Sequence, residues 1–168
     1  VWTSLTTTEP SVPMPEIHRA TSAPDLDAAR RLFRAYLNEL DVDLDFQDVE
    51  AELSALPGPY AAPEGALLLA WTDEAPVGVV AVKPLAADGV CEMKRLYVRP
   101  THRRQGIGHA LGTAVLDTAR EIGYDVMRLD TLASMTSARA LYRALGFEER
   151  SAYYHNPLPD VVYMERQL

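Results

Sequence analysis

Cysteine is almost absent from this sequence. Cys91 stands alone in 168 residues, which excludes an internal disulfide framework and any cysteine-cluster metal site. No long apolar run is present either: GALLLAW and VGVVAV fall far short of the roughly 18 residues a membrane span requires. Lysine and arginine are missing from Ala35 to Val82, a segment holding ten acids: Glu39, Asp41, Asp43, Asp45, Asp48, Glu50, Glu52, Glu64, Asp73 and Glu74. The first basic residue is Arg19, so the positive region of a secretory signal is lacking and a reducing cytoplasm is expected. The histidines His18, His102, His109 and His155 show no ligand spacing, and no metal is expected.

What is present has the balance of a globular domain, 48% hydrophobic and 24% charged. Residues 1–15, VWTSLTTTEPSVPMP, have no hydrophobic period and are expected to form a flexible tail ahead of a single domain over 16–168. The net charge is −8, so setting aside the ten acids leaves the rest of the chain at about +2. Five cations, Lys94, Arg95, Arg99, Arg103 and Arg104, crowd into one short stretch. They suit a small anion, whereas the overall charge repels a nucleic acid.

Periodicity predicts a mixed α/β chain. A strand near EIHRAT leads to a helix over PDLDAARRLFRAYLNEL, capped by Ser22 or Asp25, with Leu26, Ala29, Phe33, Tyr36 (or Leu37) and Leu40 inward. A second helix near FQDVEAELSAL stops at Pro57-Gly58-Pro59. ALLLAWT and PVGVVAVKPL read as strands about a turn at Asp73–Pro76, and VCEMKRLYV as another. In the last of these, Cys91 and Met93 are apolar on one parity and Leu96 and Val98 on the other. A β-bulge near Lys94-Arg95 produces such a phase slip. A helix from Ile107 to a stop at Gly123, a strand VMRLDTL, a helix SARALYRALG, and strands FEERSAYY and VVYMERQL complete the chain.

The stretch RRQGIGHAL, Arg103 to Leu111, puts two glycines at a helix start behind basic residues. Glycine costs about 1 kcal/mol relative to alanine in a helix, so a reason is required. One reason is a phosphate cradle, since first-turn N–H groups and the helix dipole favour an anion that a missing Cβ lets approach. The other is tight packing of the helix on the sheet. A dinucleotide fingerprint fails because Leu111 stands where a third glycine is needed, and a P-loop's Gly-Lys-Ser/Thr is absent.

The pattern R-x-x-G-x-G after a strand, with ALYRALGF at Ala140–Phe147, resembles the GCN5-related N-acetyltransferase (GNAT) family from about Glu16 to the C-terminus. The resemblance implies a mostly antiparallel sheet with splayed fourth and fifth strands and acetyl-CoA in the wedge. It implies that main-chain groups of Leu96, Tyr97 and Val98 pair with the pantetheine arm. The pyrophosphate falls to Arg103, Arg104, Gln105, Gly106, Ile107, Gly108 and His109. Where the family often carries an asparagine, seven residues before the helix tyrosine, this chain has Met135.

Thioester-to-amine transfer requires a deprotonated amine, a donor to the oxyanion and a proton for the thiolate. Tyr142, at the family's tyrosine position, is the expected proton donor, its alternative being a core tyrosine. Glu92, eleven residues before Arg103, matches the offset of the glutamate base in histone-modifying members, with a water chain as the alternative. Cys91 reads as a small buried hydrophobe. Tyr153, Tyr154 and His155 either line an acceptor pocket or pack on an edge strand. The expected activity is acetyl-CoA-dependent N-acetylation of a primary amine on a small molecule or peptide, by direct attack. The alternative is a non-catalytic CoA-binding module. The acidic segment adds the expectation of a cationic acceptor, unless it is merely a solvated helix face. A homodimer is left open; neither nucleic acid nor membrane is an expected partner.

Overall fold

The computed structural model describes residues 14–40, 48–73 and 75–168. The tail expectation therefore falls almost wholly outside the described residues, as do Asp41, Asp43 and Asp45. The elements run β1 (Glu16–Arg19), α1 (Ala23–Glu39), α2 (Val49–Ala55), β2 (Ala66–Thr72), β3 (Ala75–Pro84), β4 (Val90–Val98), α3 (Ile107–Ile122), β5 (Val126–Leu132), α4 (Thr136–Ala144), β6 (Glu148–Arg150) and β7 (Val161–Gln167). The strands form one sheet in the order β1-β2-β3-β4-β5-β7-β6.

Both faces of that sheet are covered, which is why β2 and β3 are almost continuously apolar. Leu67, Leu69, Val79 and Ala81 pack beneath α1 and α2 with Ala29, Leu32, Phe33 and Leu53. Leu68, Ala70, Val80 and Val82 face α3 and α4 with Leu111, Val115, Ala119 and Tyr142. Ser22 caps α1, its Oγ accepting from the Asp25 N–H at 3.2 Å. The buried stripe of α1 is Ala28, Ala29, Leu32 and Phe33; Ala29 and Phe33 belong to the expected set, Ala28 and Leu32 do not, and Leu26, Tyr36 and Leu37 pack against it half-buried. Tyr36 leaves the core's centre because its ring tilts onto Tyr97, 5.7 Å away, at the edge of the site. Gly123 ends α3 in a left-handed conformation, donating to the carbonyls of Ala119 and Arg120.

Every neighbouring pair is antiparallel except β4 and β5, which are parallel and joined only where Val90–Glu92 face Val126–Arg128. Beyond Glu92 the two strands part. The bulge in β4 contributes to this departure. Val79 pairs with Tyr97 and Ala81 with Lys94, so Val80 alone faces both Arg95 and Leu96. Arg95 takes a φ of 59°, unusual for a non-glycine residue. A bulge bends and twists its strand, and here it lies where the sheet opens. The alternation slip in the sequence located it.

The expected strand FEERSAYY is corrected to three residues, Glu148–Arg150. Tyr153 and Tyr154 leave the sheet because their hydroxyls reach inward, to Glu92 and Asp130. The second helix begins at Val49; Phe46 and Gln47 lie outside the described residues.

Candidate active site

The glycine turn joins β4 to α3. Arg104 and Gly106 both have positive φ, 63° and 81°, and together they turn the chain into the helix. No side chain caps α3. Its first-turn N–H groups therefore depend on backbone, water or ligand for partners. A Cβ built at Gly106 meets nothing within 4 Å, so the approach to those N–H groups is open.

The two glycines serve different ends. At Gly108 a Cβ would lie 3.3 Å from Leu141 Cδ2 and 3.9 Å from Val98 Cγ2, so this glycine lets α3 pack close to α4 and β4. One turn on, Gly112 faces Leu145 in the same way. Of the two readings offered by the sequence, the open cradle fits Gly106 and tight packing fits Gly108.

Arg103 is turned back across the turn. Its Nε donates to the Val98 carbonyl at 2.9 Å and its Nη2 to Glu39 at 2.6 Å, while the guanidinium stands 5.5 Å from the Tyr97 ring centre. The side chain braces the turn against β4 and α1. Arg104 is exposed beside it, as are Gln105, Gly106 and His109.

The wedge between β4 and β5 holds a small cavity of about 60 Å³ lined by Met93–Leu96, Leu129–Leu132, Tyr36, Met135, Tyr142 and Asn156. Tyr142 is 8% exposed and its ring meets Phe147 edge-on at 6.1 Å between centres. Burial pushes its phenol well above the ordinary 10, with Tyr36 and Asp130 adding to the rise. It is therefore protonated at neutral pH, and no hydrogen bond among the described residues claims its hydroxyl. Tyr142 is both a core ring and a wall of the wedge. Met135 lines the same cavity and accepts a weak hydrogen bond from Thr131 Oγ1 at 3.7 Å. The amide in this cavity comes instead from Asn156, in the loop before β7.

A larger cavity, about 710 Å³, lies alongside. Lys94 and Arg95, at the bulge, line both cavities. Its other walls include Glu52, Lys83, Glu92, Arg128, Tyr153, Tyr154 and His155. Glu92 is 3% exposed. Its Oε2 accepts from the Tyr153 hydroxyl at 2.5 Å, and its Oε1 lies 3.7 Å from Lys83 Nζ and 3.6 Å from Lys94 Nζ. Burial, then the Glu92 carboxylate, push the Tyr153 phenol far above its ordinary range, so it stays a donor.

A second carboxylate, Asp130 on β5, accepts from Tyr154 at 2.8 Å and from Asn156 at 3.3 Å through Oδ2, with Lys94 Nζ 3.8 Å from Oδ1. Arg95 donates to Glu52 Oε2 at 3.1 Å, and Glu52 Oε1 accepts from Tyr60 at 2.6 Å. Burial opposes the Arg95 charge, but Glu52 beside it prevails and holds it protonated.

The structure thus gathers Glu92, Tyr153, Tyr154 and His155 at one cavity and Tyr142 at the next. Reasoning from sequence missed Asp130, Asn156, Lys83 and Arg128. Arg128 and Asp130 occupy the polar parity of a strand, ordinarily solvent-facing, but β5 lies inside the sheet and that parity faces the site. A charged parity on a central strand was the available signal.

Comparison with known proteins agrees with this geometry. The sequence profile of the Acetyltransferase (GNAT) family matches residues 25–147. An uncharacterised N-acetyltransferase of Schizosaccharomyces pombe is 41% identical over 86% of this chain and 89% of its own. A GNAT-family acetyltransferase from Staphylococcus aureus has the same fold, with a TM-score of 0.75 at 22% identity over 91% of this chain and 98% of that one. The Salmonella typhimurium protein yncA, solved with its cofactor acetyl-CoA, superposes with a TM-score of 0.65 at 22% identity over 91% of this chain and 93% of its own. Open sheet, uncapped turn and matching sequence lead to one assignment: the chain belongs to the GNAT family and is an acetyl-CoA-dependent N-acetyltransferase.

Proposed function

We propose that the chain acetylates a primary amine of a small molecule or peptide by direct attack, with Tyr142 donating the proton that the departing thiolate needs. One observation carries this reading. Tyr142 holds a protonated phenol, without a hydrogen-bond partner among the described residues, in the wedge where β4 and β5 separate. Acetyl-CoA, when bound, supplies the activated acetyl thioester. The open Gly106 turn fits its phosphates, held by main-chain groups from Arg104 to His109, with Arg104 adding charge. The β4 edge at Leu96, Tyr97 and Val98 is unpaired toward β5 and fits the pantetheine arm as an added strand would.

Glu92 is the proton acceptor for the amine in this reading. A free alkylammonium has a pKa near 10 and cannot attack until deprotonated. Tyr153 fixes Oε2, leaving Oε1 toward the two lysines to take the proton directly or through a water. The expectation of a cationic acceptor rests on the acidic segment, four of whose acids lie outside the described residues. Of the six described acids of that segment, three pair with arginines: Glu39 with Arg103, Glu50 with Arg34 and Glu52 with Arg95. The large cavity has more cations than acids along its walls.

The test is Tyr142→Phe, which keeps the ring and removes the donor. Turnover of an active amine is expected to fall roughly 100-fold, in the usual range for general acid catalysis, with acetyl-CoA affinity unchanged. Full turnover in that variant returns Tyr142 to a purely structural place.

A further inference from the structure

We propose that the acceptor carries a carboxylate beside its amine, and that Lys83, Lys94 and Arg128 read it in the large cavity. The inference rests on the acetyltransferase reading and adds the substrate class. Four cations line this cavity, Lys83, Lys94, Arg95 and Arg128, against two acids, Glu52 and Glu92. Arg95 and Glu52 hold each other. That leaves Lys83, Lys94 and Arg128 on the walls with Glu92, whose Oε2 is already taken by Tyr153; Arg128 is paired through Nε with Glu165, and Lys94 also lies 3.8 Å from Asp130 Oδ1.

The lysines are the sharper observation. Neither ammonium makes a hydrogen bond among the described residues; each lies 3.6–3.7 Å from the same Glu92 oxygen, beyond hydrogen-bond reach. Lys94 is only 15% exposed in its side chain. Each ammonium carries three donors, and with none committed to a hydrogen bond among the described residues they are available to an anion in the cavity. Arg128 completes the set. It is anchored through Nε to Glu165 at 2.8 Å and lies over the Tyr153 ring at 5.5 Å, so its planar group is held against the cavity wall.

Lys94 sets the geometry, because it lines the wedge cavity as well as the large one. A carboxylate held by Lys83, Lys94 and Arg128 places the rest of a short molecule toward the wedge, where the thioester would lie. The amine then meets Glu92 and Asp130. An amino acid has both groups at a short separation. A polyamine would instead set a second positive charge against three cations.

The experiment measures CoA release with matched acceptors: glycine, aspartate and glutamate, the corresponding amides and methylamine, and putrescine. The same panel is run on Lys83→Met. A carboxylated amine is expected to lead, with its kcat/KM over that of its own amide falling about tenfold or more in the variant, as loss of a charged hydrogen bond implies. The ratio cancels any general loss of activity. An amide or putrescine as best acceptor overturns the carboxylate inference and leaves acetyl transfer intact. No release with any amine counts against the transfer reading, and the melting temperature then decides the inference separately. Stabilisation by the amino acids in the wild-type chain but not in Lys83→Met upholds it; equal shifts, or none, overturn it.

Discussion

The turn at Arg103–His109 and the cavity around Glu92 are built by different means. The turn is a backbone device: two left-handed residues and an uncapped helix start, all within seven consecutive positions. The cavity is a side-chain device. It draws Glu52 from α2, Lys83 from β3, Glu92 from β4, Arg128 from β5 and Tyr153 from the loop after β6. A ligand held by main-chain groups would place few demands on neighbouring side chains. The cavity, by contrast, depends on paired charges from several elements. It also leaves more places where one substitution unpairs a buried group.

The largest expected effect probes the turn. Gly106→Asn accepts the left-handed backbone, because asparagine tolerates it, but places a side chain in the open approach. Acetyl-CoA at a hundredfold excess over its dissociation constant stabilises the wild-type fold by about 2.7 kcal/mol. That melting shift should vanish in the variant while the unliganded protein melts nearly as before. Gly108→Val should do the reverse. Its added methyls press on Leu141 and Val98 and cost about 1–3 kcal/mol of unliganded stability, as overpacking does, with the cofactor shift retained. Equal responses from the two glycines would erase the distinction between cradle and packing.

The cavity is tested next. Tyr153→Phe removes the 2.5 Å donor to buried Glu92 and keeps the ring under Arg128. Hydrogen bonds to a charged group contribute about 1.5–3 kcal/mol, so a loss near 2 kcal/mol is expected in chemical denaturation. Cofactor binding at the turn should be untouched. An unchanged midpoint would show that water or Lys94 takes over the Tyr153 bond.

The smallest effect at neutral pH, and a growing one in alkali, comes from the phenols. Tyr60, Tyr142, Tyr153 and Tyr154 are all raised above the ordinary 10, chiefly by burial. Above pH 10 the unfolded chain releases these protons while the folded chain keeps them, so stability falls as pH rises. Each phenol contributes a slope near 1.4 kcal/mol per pH unit in that range. Tyr142→Phe should make the decline shallower by one such share. A melting temperature flat from pH 9 to 11 would contradict the buried, protonated state on which the Tyr142 assignment rests.

How much was legible follows from the same contrast. The slip between Met93 and Leu96 located the bulge, because strand parity is a local property and an extra residue must disturb it. Gly123 marked the end of α3 for an equally local reason. FEERSAYY was read as too long a strand. Nothing in its alternation distinguishes a tyrosine paired in a sheet from one drawn away by a carboxylate sixty-one residues earlier, as Tyr153 is by Glu92. The α1 stripe was placed on the right face, at Ala29 and Phe33, but Tyr36 at its end is shared between the core and the small cavity.

The acidic segment shows the limit most clearly. A run without lysine or arginine suggests a field, but charge in sequence is not charge in space. Glu39 and Glu52 reach partners on other elements and are matched there. By itself the sequence determined the alternation of strands and helices, the bulge, the glycine turn and Tyr142 at the family's position. Each of these depends on residues within one element or one turn of it. Only the tertiary structure decided which glycine opens and which packs, and that Asp130, Lys83 and Arg128 face inward. Those outcomes depend on which elements the sheet order brings together, and pairing across such distances leaves no periodic trace in the chain.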